Sequence, residues 1–237
     1  MIFGNTPYYQ YLKNMLQNYF IKAAKMCGIF GYFGYRNAIP ILQEGLKRLI
    51  YRGYDSWGIG FKNNGKIEII KDIGDFERIN LENNKKSNIG ISHTRWATTG
   101  KVSKENAHPH LDCENKIAIV HNGIIENFQE LKKELMERGH KFKSETDSEI
   151  ISHLIEEYMK KFDFPEAVRV AFLKLEGRNA VVAMSENFNG LVGVKKGSPL
   201  VVGIGEREYF IASDVRAFVR ETRRVIYLDD NEMVVLK

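Results

Sequence analysis

Residue 27 is a cysteine set between Met26 and Gly28, and this order of residue types could do chemistry that a lone cysteine could not. An initiator methionine followed by a small residue is readily trimmed, which would leave an α-amine and a thiol on Cys27. An α-amine has a pKa near ~8, so near neutral pH part of it is free to take the thiol proton without a histidine base. One residue would then be both nucleophile and base. Without that context Cys27 reads as a small buried hydrophobe, the usual role of a free cysteine. The chemistry requires a free amine, yet residues 1–26 precede it. They read either as an upstream start, with Met26 the working initiator, or as a propeptide, and in both readings they are removed or absent in the active protein.

Other groups compete for attention. His108, His110 and Cys113 form an H-x-H-x-x-C triplet that could ligate zinc, but a structural site takes four ligands and no fourth is marked nearby. The stretch GVKKGSP has glycines and lysines without the P-loop order. The basic cluster RETRR at 220–224 contains a glutamate and no aromatic stacking platform, so it reads as a solvated face and no nucleic-acid partner is expected. A net charge of +5 arises from Lys and Arg scattered among almost as many Asp and Glu.

The elements that must position these residues follow from periodicity. With 237 residues and 43% hydrophobic content the chain can build one substantial core. Two cysteines cannot supply a disulfide framework, and no apolar run spans a bilayer, which together suggest a reducing, cytoplasmic setting with no membrane partner. Within residues 1–25, which carry no Asp or Glu, Tyr8, Leu12, Met15, Leu16, Tyr19, Phe20 and Ala23 recur at helical spacing without the marks of a secretory signal. From Met26 onward, strand-like runs alternate with amphipathic helices in one domain. A strand is predicted at MCGIFGYFGY, and a helix over 38–51, where Ile41, Leu42, Leu46, Leu49 and Ile50 share one face. WGIGF and KIEIIK, joined through Asn63, Asn64 and Gly65, read as a hairpin. Further strands are predicted at NIGISH, KIAIVHNG, AVVAM, GLVGV, LVVGI, EYFIAS, RVIYL and EMVVL, and helices over 126–138, 147–161 and 164–174. Thr146 or Asp147 would cap the second of these helices. Strands outnumber helices and fall in hairpin-like pairs, which favours layered α and β over a doubly wound sheet.

CGIFGY, YRGYDSWG, HTRWATTG, NAHPH, HNGIIENF, SETDSE, GSPLVVG and FIASD, in this order, closely resemble the glutaminase domain of the glucosamine-6-phosphate synthases. These are amidotransferases whose glutaminase half is an N-terminal-nucleophile hydrolase. The resemblance covers essentially all of residues 27–237. It implies an α+β fold, the four-layer αββα sandwich of that hydrolase type. It also implies roles: Cys27 as nucleophile, Asn122 and Gly123 as the oxyanion hole, Arg95 on the α-carboxylate of glutamine and Asp147 on its α-ammonium. Thr98 would contact glutamine, Trp96 would belong to a loop covering the site, and Arg52 would help orient the amino terminus. Three of these roles have a plain alternative: a surface salt bridge for Arg95, a helix cap for Asp147, a simple turn for Asn122–Gly123. Two departures stand out. Thr99 replaces the histidine usual in the family, and GRNAVVAM replaces a Gly-Ala-Tyr stretch.

The implied reaction is hydrolysis of glutamine through a γ-glutamyl thioester, giving glutamate and ammonia for glucosamine 6-phosphate synthesis from fructose 6-phosphate. No cofactor and no metal are expected. The sugar isomerase module that follows this domain in the family is absent from residues 1–237, so an isomerase domain or subunit is the expected partner and ammonia acceptor. A homodimer is left open. Two other readings stand beside this one: ammonia supply to a different acceptor, and an inert glutamine-binding module if Cys27 stays blocked.

Overall fold

Alternation along the strands decides the layers. In β1 (Gly28–Phe33), Phe30 and Tyr32 join one buried cluster while Ile29 joins another, because successive side chains of a strand point to opposite faces. The computed structural model of the protein describes residues 27–76 and 85–237, apart from the side chain of Arg52. The helical pattern noted over residues 1–25 and the side-chain role suggested for Arg52 lie outside the described residues.

After β1 come α1 (Ala38–Leu49), β2 (Ser56–Asn63), β3 (Lys66–Ile73), β4 (Ile89–Arg95), β5 (His110–Leu111) and β6 (Ile117–Gly123). Three helices follow, α2 (Phe128–Glu137), α3 (Glu149–Tyr158) and α4 (Phe164–Leu173), and then β7 (Asn179–Ser185), β8 (Phe188–Lys196), β9 (Val201–Ile204), β10 (Tyr209–Ala212), β11 (Val225–Tyr227) and β12 (Met233–Leu236). One sheet runs β11-β9-β10-β1-β4-β2-β3 and the other β12-β8-β7-β6-β5, and their strand pairs are antiparallel.

Three apolar clusters fill the gaps between four layers. Leu42, Leu46 and Leu49 of α1 pack with Phe30, Ile59 and Phe210 on the outside of the first sheet. Ile29, Ile91, Val120, Val182 and Ile211 fill the space between the sheets. Ile150, Leu154, Val168 and Phe172 of α3 and α4 cover the second sheet through Ile119, Val181 and Val192. Each fully buried Leu, Ile or Phe contributes about 1.5–3 kcal/mol, so the amphipathic helices are held by these faces. The expected αββα sandwich is present.

Local signals behave as their chemistry requires. Asn64 (φ 50°) and Gly65 (φ 79°) turn the β2–β3 hairpin in the left-handed region. Asp163 caps α4, its side chain accepting from Glu166 N at 3.0 Å. The cap predicted for the preceding helix is a correction. α3 starts at Glu149 with no side-chain cap at Ser148, and the Asp147 carboxylate turns away to accept the Ile125 N–H at 2.8 Å. That bond fastens the segment before α3 to the chain leaving β6.

Among the described residues, no helix is long and apolar enough to cross a membrane.

Candidate active site

Three chain segments converge at one end of the sandwich. Gly28 of β1 pairs with Thr94 of β4, which brings Cys27 beside the Arg95–Trp96 end of that strand. From the facing sheet, β6 ends in Asn122 and Gly123. The side-chain amide of Asn122 crosses between the sheets and donates from Nδ2 to the Cys27 carbonyl at 3.1 Å.

The thiol lies against the loop that leaves β4. The Trp96 N–H points to Cys27 Sγ at 3.2 Å, and the thiol contacts the Trp96 carbonyl at 3.5 Å. Burial pushes the Cys27 thiol pKa up, while the Trp96 N–H and the Arg95 charge pull it part of the way back. Among the described residues, no histidine or carboxylate is hydrogen-bonded to the thiol.

The loop is shaped by charged groups behind it. Asp55 accepts the Ala97 N–H at 2.6 Å through Oδ2, takes the Ser56 hydroxyl at 3.0 Å on Oδ1, and gives its own N–H to the Arg95 carbonyl at 2.8 Å. Arg95, 4% exposed, donates from Nη1 to the Lys101 carbonyl at 3.4 Å and from Nη2 to the Thr99 carbonyl. The fork thus closes the 96–101 loop upon itself. A guanidinium has five N–H donors, so these bonds leave capacity for an anion. Thr99, where the family pattern has histidine, takes part through its backbone.

A column of histidines stands behind Asn122. With Asn122 Nδ2 donating to Cys27, its Oδ1 is the acceptor, and His93 Nε2, 2.9 Å away, carries the hydrogen. Burial drives the His93 pKa down to about 3, so the ring is neutral. His93 stacks on His108 (4.2 Å between centroids), which meets His110 edge-on at 4.5 Å. His121 bridges Ser148 Oγ at 2.8 Å and Asn179 Oδ1 at 2.9 Å. This accounts for Asn179 in the GRNAVVAM departure: its amide fixes the histidine beside Asn122.

Gly123 is required where it stands. Its φ is 144°, and a Cβ there would fall 2.0 Å from the Arg178 carbonyl oxygen.

Cys27, Trp96, Thr98, Asn122 and Gly123 line one cavity of about 420 Å³, together with Ile124, Glu126, Arg178, Ser198 and Pro199. Arg95 and Asp147 are not among the lining residues; both are 4% exposed and stand behind the wall. A larger cavity of about 520 Å³ lies near Trp57, Lys71, Pro109, His110 and Glu149. In its lining, Lys71 Nζ is engaged by the carbonyls of Glu105, Ala107 and Pro109.

Sequence reasoning missed Asp55, His93, His121 and the far wall at Glu126 and Arg178. Asp55 was within reach, since it sits in the YRGYDS motif. The H-x-H-x-x-C triplet does not converge on one point, in line with the structural reading preferred for it over zinc. His108 Nδ1 accepts the His121 N–H at 3.3 Å and His110 Nε2 meets Thr146 Oγ1 at 3.1 Å, whereas Cys113 lies beside His140 and His153.

A profile of the family described as glutamine amidotransferase domain matches residues 93–220. The chain is 51% identical over 212 residues to glutamine–fructose-6-phosphate aminotransferase (isomerizing) of Pyrococcus horikoshii, covering 87% of this chain and 36% of that protein. It is 50% identical over 217 residues to the protein of the same name from Methanothermobacter thermautotrophicus, covering 89% of this chain and 37% of that one. The chain therefore spans about a third of the length of these curated relatives. Among solved structures, the glutamine phosphoribosylpyrophosphate amidotransferase from B. subtilis is similar at a TM-score of 0.76 and 28% identity, over 88% of this chain and 47% of that one.

Proposed function

We propose, from the premise that this chain belongs to the glutamine amidotransferase family, that Cys27 hydrolyses the side-chain amide of glutamine. The observation that carries the reading is Cys27 in the lining of the 420 Å³ cavity, its thiol met by the Trp96 N–H and its carbonyl held by the Asn122 amide.

In this reading the working chain begins at Cys27, and residues 27–237 form the glutaminase domain. The freed α-amine takes the thiol proton, and the sulfur attacks the amide carbon of glutamine. The oxyanion forms toward Asn122 Nδ2 and the Gly123 N–H, donors of a kind worth about 3–4 kcal/mol in acyl transfer. The amine returns the proton to the leaving nitrogen, and ammonia departs. Water, deprotonated by the same amine, then cleaves the γ-glutamyl thioester to glutamate and restores the thiol. Arg95 answers the substrate α-carboxylate and Asp147 its α-ammonium, each reached when the 96–101 loop adjusts around the ligand. Thr98 contacts glutamine from the cavity wall and Trp96 covers the site.

The names of the curated relatives support ammonia delivery to fructose 6-phosphate. In those longer proteins this region is only a part, so the acceptor chemistry belongs to a sugar-phosphate isomerase domain or subunit. A chain cut to begin at Cys27 is expected to release glutamate from glutamine, and Cys27→Ala to release none. Absence of turnover together with absence of Cys27 labelling by an electrophilic glutamine analogue overturns the proposal.

A further inference from the structure

Away from the cavity, four side chains from three segments close on one point. Cys113 lies in the turn between β5 and β6, His140 follows α2, and His153 and Glu156 stand one turn apart on α3. Their Sγ, ring nitrogen and carboxylate atoms all lie within 4.8 Å of one another. Cys113 Sγ is 3.6 Å from His140 Nδ1 and 3.5 Å from His153 Nδ1. Glu156 Oε2 is 3.0 Å from His140 Nδ1 and 3.3 Å from His153 Nδ1.

These separations are those of ligands around one ion. With zinc bonds of ~2.3 Å to sulfur and ~2.0–2.1 Å to nitrogen or oxygen, a tetrahedron has edges of ~3.5 Å between sulfur and nitrogen and ~3.3 Å between nitrogen and oxygen. The donor set points to the same metal. Calcium and magnesium take oxygen ligands, whereas one thiolate, two imidazoles and one carboxylate suit zinc. Thiolate and carboxylate together balance the charge of a divalent ion, as a site walled by rings with side-chain exposures of 5% and 1% requires.

The groups behind the ligands fit as well. His140 Nε2 faces Glu157 Oε2 at 3.2 Å, and His153 Nε2 faces Glu149 Oε1 at 3.5 Å. Glu149 is itself held by the Lys143 N–H at 2.8 Å and the Ser144 N–H at 2.7 Å. Both histidines thus present Nδ1 to the common centre; His140 Nε2 has the carboxylate hydrogen bond that usually supports a metal-bound imidazole, and His153 Nε2 faces its carboxylate at the longer distance without a hydrogen bond.

We propose that Cys113, His140, His153 and Glu156 form a structural zinc site that pins the β5–β6 turn to the helical layer. The metal ties α3 to the connection leading into β6, the strand whose far end carries Asn122 and Gly123. It stands apart from the reacting atoms and takes no part in glutamine chemistry.

The test uses the full chain carrying Cys27→Ala, so that Cys113 is its single thiol. Protein purified without chelator should contain close to one zinc per chain by elemental analysis. After chelation, cobalt(II) should give the intense visible bands of a tetrahedral ion and a thiolate charge-transfer band, both removed by Cys113→Ser. Glu157→Gln, which keeps every ligand, should weaken cobalt binding roughly 10- to 100-fold. If the parent chain carries no zinc and gives no stoichiometric cobalt spectrum, the cluster is held by hydrogen bonds alone and the proposal fails. A cobalt–thiolate band surviving Cys113→Ser fails it too. Should Cys113→Ser not fold, the titration of the parent chain and of Glu157→Gln decides.

Discussion

His93 and Asn122 come from opposite sheets and meet through one hydrogen bond, His93 Nε2 donating to Asn122 Oδ1 at 2.9 Å. The other end of the same amide holds the Cys27 carbonyl. A neutral buried ring therefore sets the orientation of the proposed oxyanion donor without touching substrate.

The first prediction tests that positioning role. Removing an oxyanion donor outright, as in Asn122→Ala, should lower kcat by about 10²- to 10³-fold. His93→Ala should lower kcat less, with little change in KM, because the donor survives but is no longer aimed. Glutamine at position 93 can place an N–H where Nε2 was, so His93→Gln should recover much of the loss. Steady-state kinetics of the three variants, in chains beginning at Cys27, decide it. Equal kcat for His93→Ala and His93→Gln would show that the ring only fills space.

The same burial predicts an acid-sensitive fold. Burial lowers the pKa of His93 to about 3 and also lowers those of His108 and His121. Their neighbours are one another, His110 against His108, the Arg95 cation and, beside His121, the Asp147 carboxylate, whose attraction is smaller than the desolvation. The unfolded chain takes up protons near pH ~6.5 that the folded chain refuses, so stability falls as pH drops below that value. For His93 the loss continues down to about pH 3. Each such histidine adds up to about 1.4 kcal/mol per pH unit to the slope. Denaturant unfolding between neutral pH and mild acid should show a steeper fall for the parent than for His93→Gln. Parallel slopes would mean that His93 titrates normally in the fold.

That α and β elements would form layers was legible because the elements leave local marks, whereas the four-layer αββα order was legible only through the family resemblance. Strand alternation separates Ile29 from Phe30, helical spacing groups Leu42, Leu46 and Leu49, and Asn64–Gly65 announces a hairpin. The Cys27, Asn122 and Gly123 cluster was legible only through a family pattern, since those residues lie far apart in the chain. What stayed hidden depends on register and on contacts between sheets. Nothing near His93 in sequence says that β4 will face β6, and nothing near Cys113 points to His140 and His153. Asp147 misled for the opposite reason: its position before a helix suits a cap, but an amide left by the end of β6 offered a better partner.

Substrate recognition gives the third prediction. A hydrogen bond to a charged group contributes about 1.5–3 kcal/mol, which corresponds to roughly 10- to 100-fold in affinity. Lysine at position 95 keeps a cation near the thiol but cannot hold the Thr99 and Lys101 carbonyls and a carboxylate together. Asp147→Asn keeps an acceptor for the Ile125 N–H while removing the charge. Both variants should therefore raise KM for glutamine by that factor while kcat changes much less, with thermal unfolding of Asp147→Asn close to the parent. An unchanged KM in both would remove Arg95 and Asp147 from the proposed binding set.

Gly123 separates fold strain from lost chemistry. At φ 144° an alanine is strained, and its Cβ would meet both the Arg178 carbonyl at 2.0 Å and His121 Nε2 at 2.9 Å. Backbone is the obstacle, so the end of β6 must move away from β7. That shift drags the Gly123 N–H and the neighbouring Asn122 amide off the position proposed for the oxyanion. Gly123→Ala should therefore lose about 1–3 kcal/mol of stability and about 10²- to 10³-fold in kcat. Asn122→Ala makes no such backbone clash and should lose activity on a similar scale with a smaller drop in unfolding temperature. The contrast between the two variants, read from calorimetry and glutamate release together, locates the defect. If Gly123→Ala unfolds early yet turns over normally at low temperature, the glycine serves the turn and the oxyanion hole must be built elsewhere.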